Sequence, residues 1–285
     1  MIVLRTVSEL RATVRAARER SERVAFVPTM GALHEGHLSL VRRAREQCEH
    51  VVVSLFVNPA QFTEMADLAR YPRAEAADSR LTESAGASVL FAPSVAEVYP
   101  AGFVTSVEVA GLSEPLEGVA RGTQHFRGVA TVVTKLLNMV QPDVAFFGQK
   151  DAQQALIIRR LVRDLDLPVR VEICPTVREA DGLAMSSRNA LLDVEARERA
   201  TALSRALFAA ERCVASGETR AQAALAAGQS ILEAAGIELE YFAAVDAESL
   251  VTVTGFEQPT LIAIAARVGG VRLIDNVIVG RGTAA

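Results

Sequence analysis

VAFVPTMGALHEGHLSLVRRAREQCEHVVVSLFV, residues 24–57, decides the fold. Val24–Pro28 is a short apolar run that stops at a proline. Val51–Val57 is nearly continuous in apolar, β-branched residues, the pattern of a strand covered on both faces of a parallel sheet. Between them, residues 36–49 carry Leu38, Val41 and Arg45 at helical spacing. Strand, helix, strand in that order is a crossover unit of a parallel sheet.

The rhythm continues on both sides. Residues 8–21 read as a charged helix with Ser8 as its N-cap. Helix 75–86, strand 88–91, helix 129–140, strand 143–147, helix 151–164 and strand 169–173 follow. This alternation predicts an α/β fold, a doubly wound parallel sheet of the Rossmann-like class. Residues 103–110 alternate apolar and polar and predict a hairpin insert. After about residue 176 the pattern changes. Residues 193–215 and 219–235 are alanine-rich helical stretches parted by Ser216-Gly217. Strand-like runs near 238–245, 260–267 and 271–279 come next, with Gly269-Gly270 turning between the last two. The expectation is two domains: residues 1–176, binding nucleotide and acid, and a smaller C-terminal α+β lid domain, residues 177–285, with its hinge near 175–185. Residues 280–285 are expected to form a loose tail.

Composition sets outer limits. A length of 285 residues favours about two domains at roughly 150 residues each. Half the residues are hydrophobic and 22% are charged, so the chain can bury a core. With 30 Lys and Arg against 34 Asp and Glu, the net charge of −4 disfavours a protein held to nucleic acid by its phosphates. Cys48, Cys174 and Cys213 are odd in number and show no C-x-x-C spacing, so neither a disulfide framework nor a zinc ribbon fits. The first ten residues hold no apolar signal core, and no run reaches the roughly 18 apolar residues of a membrane span. A soluble cytoplasmic protein is expected.

The chemistry concentrates in Pro28–His37, at the carboxyl end of the first buried strand, where open α/β sheets bind ligands. A glycine-containing turn there lets backbone approach a phosphate, and the next helix offers free N–H groups and a positive dipole end. His34 and His37, three apart, lie on neighbouring parts of one helical face. Two imidazoles there can donate to phosphate oxygens or act as acids toward a leaving phosphate. A zinc site of the H-E-x-x-H kind fits badly, because the spacing is three rather than four. Two histidines that merely cap a helix remain an alternative.

Strand, T-M-G-A-L-H-E-G-H, then helix resembles the H-x-G-H signature of the nucleotidylyl-transferase superfamily. F-V-N-P-x-Q-F at 56–62, Y-P-R at 71–73, H-F-R-G-V at 125–129, F-F-G-Q-K-D at 146–151 and P-T-V-R-E-A-D-G-L-A-M-S-S-R-N at 175–189 extend the likeness to the pantothenate synthetase (pantoate–β-alanine ligase) family. The resemblance implies that ATP and Mg2+ activate pantoate as an adenylate, which the amine of β-alanine then attacks to release AMP. Such an enzyme needs cations and donors aimed at the triphosphate, and little covalent machinery of its own.

Residue by residue, the resemblance implies that Met30, Gly31, Ala32, Leu33, His34, Glu35, Gly36 and His37 contact ATP, with His37 as proton donor. Gly148, Gln149, Lys150 and Asp151 follow a strand, with Lys150 as a phosphate cation and Asp151 a positioning partner. Val177 matches a position whose backbone meets adenine, and Met185, Ser186, Ser187 and Arg188 match a mobile loop over the β- and γ-phosphates. Gln61 and Gln154 match paired glutamines for pantoate. Pro28, Met30 and Phe62 supply apolar wall, and Asn58 and Arg127 are further polar candidates. Related sequences carry adjacent acids after Y-P-R; here Ala77 replaces one, leaving Asp78 as the protein-side magnesium candidate. Ala152 stands where an aromatic commonly follows Lys-Asp. The resemblance further suggests a homodimer.

Two other functions compete. A nucleotidylyl transferase that keeps AMP in its product would share His34, His37 and the serine loop but not require Gln61 and Gln154. A non-catalytic nucleotide-binding protein would bind ATP without releasing pyrophosphate. A tRNA synthetase fits less well, since the chain is acidic and has no basic anticodon-binding module.

Overall fold

The structure is a computed structural model that describes residues 1–63 and 65–280. Past Gly280, the tail expected at 280–285 lies outside the described residues. The chain divides into two compact units: Met1–Gly148 with Gln153–Pro175, and Gln149–Ala152 with Thr176–Ala285. The sequence reading places residues 149–152 in the first domain; in the structure they group with the second unit.

The first unit is built from β1 (Ile2–Leu4), α1 (Val7–Glu19), β2 (Val24–Thr29), α2 (Glu35–Gln47), β3 (His50–Leu55), α3 (Met65–Arg70), α4 (Glu75–Ser84), β4 (Val89–Phe91), α5 (Val95–Val98), α6 (Glu117–Arg121), α7 (Thr123–Val140), β5 (Val144–Gly148), α8 (Ala152–Asp164) and β6 (Arg170–Cys174). Its six strands run in the order β1-β4-β3-β2-β5-β6, and all their pairings are parallel. Val24–Val27 and Val51–Val53 are buried, as their unbroken apolar runs require. Leu38, Val41 and Ala44 of α2 pack against one face of them, at Ala25, Val27, Val51 and Val53, joined by Val144 and Phe146 of β5. This is the doubly wound α/β architecture.

Three local expectations are corrected. The N-cap of α1 is Thr6, not Ser8: the Thr6 hydroxyl accepts from Glu9 N–H at 3.2 Å while Glu9 Oε2 accepts from Thr6 N–H at 3.0 Å, a reciprocal capping box. Helix α7 starts at Thr123 rather than 129, because Phe126 is buried one turn ahead of Val129 and Val133, while the exposed Gln124 and Arg127 mask that periodicity in the sequence. Residues 103–109 form no hairpin; Val107 N–H bonds instead to Thr131 Oγ1 of α7 at 2.9 Å.

The second unit contains α9 (Val194–Ala215), α10 (Ala221–Ala234) and an antiparallel sheet of β7 (Glu238–Asp246), β8 (Thr260–Val268) and β9 (Val271–Val279) in sequential order. Gly269 and Gly270, at φ +56° and +77°, make the tight turn expected of them. Ala196, Ala200, Ala206 and Ala210 give α9 a small-residue face, buried with Leu203, Leu207, Ile262 and Ile264. Among the described residues no helix is long and apolar enough to cross a membrane. Cys48 and Cys174 are buried, and burial pushes the Cys174 thiol up to about 11.

Leu203 is fully buried in the second core. Leu203→Ala should therefore lower unfolding stability by about 2–5 kcal/mol, measured as a shift of the denaturant midpoint.

Candidate active site

Strands β2 and β5 pair only at Ala25 with Val144 and Phe26 with Ala145. Strands β3 and β4 lie on one side of β2, and β5 and β6 on the other, so the winding direction reverses between β2 and β5. Beyond Phe26 the ladder between the two strands ends, at the carboxyl edge of the sheet where such folds usually hold ligands. Pro28, which has no N–H to give, sits in β2 past the last pairing with β5.

The turn leaving β2 bends sharply, with Gly31 at φ +92° and Ala32 at φ +52°. A Cβ on Gly31 would stand 2.8 Å from Leu55 Cδ1 and 3.0 Å from Asp78 Oδ2, so the position requires glycine for space as well as angle. Asp78 is 2% exposed. Its Oδ2 accepts from Ala32 N–H at 3.0 Å and its Oδ1 from Leu33 N–H at 2.9 Å. Each oxygen of the expected magnesium ligand thus accepts a backbone N–H and holds the turn. Among the described residues no cluster of three or more His, Cys, Asp or Glu could hold a metal ion.

His34 then caps α2. Its Nδ1 accepts from Gly36 N–H at 3.2 Å, and His37 Nδ1 accepts from His34 N–H at 3.4 Å. The two rings lie 4.2 Å apart. The capping alternative and the phosphate reading are therefore compatible: an Nδ1 that accepts leaves the proton of the neutral ring on Nε2, which makes Nε2–H the donor. Glu35 is exposed, and its carboxylate pairs with Arg42, which holds it below the usual carboxylate range.

The acid-side candidates divide. Asn58 is 1% exposed, and its amide donates to Gln61 Oε1 at 3.0 Å and to the Gly128 carbonyl at 3.1 Å. Asn58 therefore holds the short 3₁₀ turn Pro59–Gln61. Gln61 Nε2 lies 2.9 Å from Met30 Sδ. Helix α7 clamps the same turn: a Cβ on Gly128 would meet the Ala60 carbonyl oxygen at 2.3 Å, and His125 Nδ1 lies 2.7 Å from the Gln61 carbonyl. Gln154 is half-buried in the first turn of α8 and Arg127 is exposed on α7, both outside this network. Neighbouring Gln153 is buried and ties down the chain before α6, donating to the Leu112 and Pro115 carbonyls at 2.8 Å each. Phe62 packs edge-on against Tyr71 with ring centres 5.8 Å apart. Met30 also borders a cavity of about 410 Å³ with Arg5, Leu55, Arg73, Asp78 and Glu97.

In the second unit, Lys150 occupies the short turn Gln149–Asp151, its Nζ 3.8 Å from Asp151 Oδ1. Asn276 of β9 holds that turn, donating to the carbonyls of Gln149 at 2.9 Å and Lys150 at 3.0 Å. Residues 176–185 double back as a small hairpin: Arg178 bridges Ala184, and Met185 N–H donates to the Val177 carbonyl at 3.0 Å. Arg178 forms a two-pronged pair with the buried Asp275, at 2.5 and 3.0 Å. Glu179 and Asp181 both bind Arg197 of α9, at 2.5 and 2.8 Å. Ser186 then caps the turn Ser187–Leu191 by accepting from Arg188 N–H at 3.3 Å. Lys150, Ser186 and Arg188 line one small cavity with Asn189, Arg272 and Asp275. The sequence reading missed Arg178, Asp275 and Asn276, which build this arrangement, because their partners are remote along the chain.

The sequence profile described as Pantoate-beta-alanine ligase matches residues 2–278. The chain belongs to that family. It is 51% identical to the pantothenate synthetase of Acidobacterium capsulatum, over 98% of this chain and 97% of the relative. It is 53% identical to that of Cereibacter sphaeroides, over 96% and 98%. Crystallised pantothenate synthetase from Thermus thermophilus superposes with a TM-score of 0.91 at 47% identity, covering 97% of this chain and 99% of that one. The Francisella tularensis pantoate-beta-alanine ligase, complexed with beta-gamma ATP and beta-alanine, superposes with a TM-score of 0.80 at 32% identity, covering 98% and 97%.

For a pantoate–β-alanine ligase, the two jobs open to Asp78 separate cleanly. Asp78→Asn replaces one acceptor with a donor facing a backbone N–H. It should cost about 1–3 kcal/mol of stability and leave the magnesium concentration for half-maximal rate unchanged. Denaturant unfolding and a magnesium titration of the rate measure the two effects.

Proposed function

We propose that this ligase condenses (R)-pantoate with β-alanine and cleaves ATP to AMP and pyrophosphate, through a pantoyl adenylate. The observation that carries the mechanism is the histidine pair at the head of α2, whose Nδ1 atoms accept backbone N–H bonds and therefore leave Nε2–H as the donor of each ring. Attack by the pantoate carboxylate on the α-phosphorus breaks the bond to the bridging oxygen and moves negative charge onto the departing pyrophosphate. Nε2–H groups and a helix N-terminus stabilise that charge, with His37 as the proton donor. Lys150 supplies a fixed cation for the phosphates, and Ser186, Ser187 and Arg188 supply further donors. Met30–Leu33, Gly36, Gly148, Gln149, Asp151, Val177 and Met185 complete the nucleotide contacts. The amine of β-alanine then attacks the acyl carbon, and AMP leaves.

Gln61 and Gln154 bind pantoate, with Pro28 and Met30 as apolar wall. Magnesium would be held by the ATP phosphates, mostly through water rather than through Asp78, whose oxygens hold the turn, and would offset the triphosphate charge. The protein acts as a homodimer in the cytoplasm, a reading supported by the family resemblance and by its unpaired cysteines. A nucleotidylyl transferase that retains AMP is disfavoured by the match to the ligase family over residues 2–278.

The first test is pyrophosphate release with ATP, magnesium and pantoate. One equivalent per enzyme without β-alanine and sustained turnover with it are expected; absence of pantoate-dependent release from folded protein refutes the reaction. His37→Ala and Lys150→Ala should each reduce adenylate formation by about 10²-fold or more, the scale of a lost phosphate-stabilising donor, with circular dichroism unchanged. Gln61→Ala and Gln154→Ala should raise the KM for pantoate while the Kd for ATP, measured by calorimetry, stays within twofold.

A further inference from the structure

Tyr99 reaches the acid-side glutamine through one intermediary. All four hydrogen-bonding positions of the Asn58 amide are used. Its Nδ2 donates to the Gly128 carbonyl and to Gln61 Oε1, at 3.1 and 3.0 Å. Its Oδ1 accepts from Ala60 N–H at 3.3 Å and from the Tyr99 hydroxyl at 2.8 Å. The orientation of this amide is settled by its fixed partners: a carbonyl only accepts and a backbone N–H only donates. Asn58 therefore presents nitrogen to Gln61, which must answer with its oxygen. The amino group of Gln61 is turned the other way, toward Met30. A glutamine so held offers donors, and the ligand atom it selects is an acceptor oxygen, a carboxylate or a hydroxyl.

Tyr99 is itself immobilised. Its ring lies 6.2 Å from that of Phe56 and 5.1 Å from that of Phe103, and Lys135 Nζ stands 5.8 Å over it. Burial pushes its hydroxyl up to about 12, so it stays a donor throughout the neutral range. We propose that Tyr99 is a positioning residue for acid recognition: its hydroxyl fixes Asn58, and Asn58 fixes the Gln61 amide with its donors toward the hydroxy acid. The inference rests on the reading of Gln61 as a pantoate-binding residue.

The test is a double-mutant cycle on the full chain, with steady-state KM and kcat for pantoate and ATP and with thermal unfolding to verify the fold. Tyr99→Phe is expected to raise the pantoate KM about fivefold, the scale of one net hydrogen bond, with kcat and the ATP KM within twofold. In the Gln61→Ala background the same change should add nothing. An unchanged pantoate KM in Tyr99→Phe, an equal rise in the ATP KM, or the same fold-rise in both backgrounds overturns the role of Tyr99 while the reading of Gln61 stands. An unchanged pantoate KM in Gln61→Ala overturns both. As a second variant, Asn58→Asp puts a carboxylate oxygen against the Gly128 carbonyl and Gln61 Oε1. It is expected to raise the pantoate KM more than Tyr99→Phe does, and a smaller rise also overturns the proposal.

Discussion

Two strands that stop pairing free the backbone for the turn at the head of α2. β2 and β5 share two residue pairs and then part, and the groups at the head of α2 hang on the bend that this parting permits. Proline is tolerated in β2 because the ladder with β5 has already ended there. The freed backbone can bend through Gly31 and Ala32 in a conformation that ordinary residues resist. That bend would be costly in isolation. Asp78 holds it by taking both following N–H groups, a strained turn stabilised by a buried carboxylate that gains two donors in exchange for water.

The parallel sheet was legible because its strands are covered on both faces, so Val51–Val53 must be apolar without interruption. The C-terminal meander was legible through Gly269-Gly270, whose positive φ angles few other pairs adopt. What escaped was short or masked. β1 has three residues, too few to show a period. The first turn of α7 hides its buried Phe126 between exposed polar residues. Residues 103–109 alternate convincingly, yet alternation measures which side is dry and not whether a partner strand exists.

The site divides along the same line. Side chains proposed to meet substrate sit in dense local motifs: the histidines in H-E-G-H, Lys150 in G-Q-K-D, the serines in M-S-S-R. The groups that orient them are remote. Arg178 and Asp275 are 97 residues apart, and Asn276 reaches back 126 residues to the Lys150 carbonyl. A charged or amide residue inside a strand such as L-I-D-N reads as an exception to the strand pattern, and only the fold reveals what it holds. Asp78 is instructive: an acid after Y-P-R suggests a cation, and only the fold reveals that it is buried and holds a turn through two backbone donors.

The clamp on residues 59–61 bears on how this enzyme could change its diet. The backbone of that turn meets α7 so closely at Gly128 that even a methyl group has no room. It cannot slide outward to admit a bulkier acid without unseating the helix. In the proposed site, wider acceptance therefore has to come from trimming apolar walls such as Met30 or Phe62, leaving the amide where it is. A laboratory or natural lineage seeking new pantothenate analogues would then find its fruitful substitutions at such apolar side chains, and would find Gly128 closed to change.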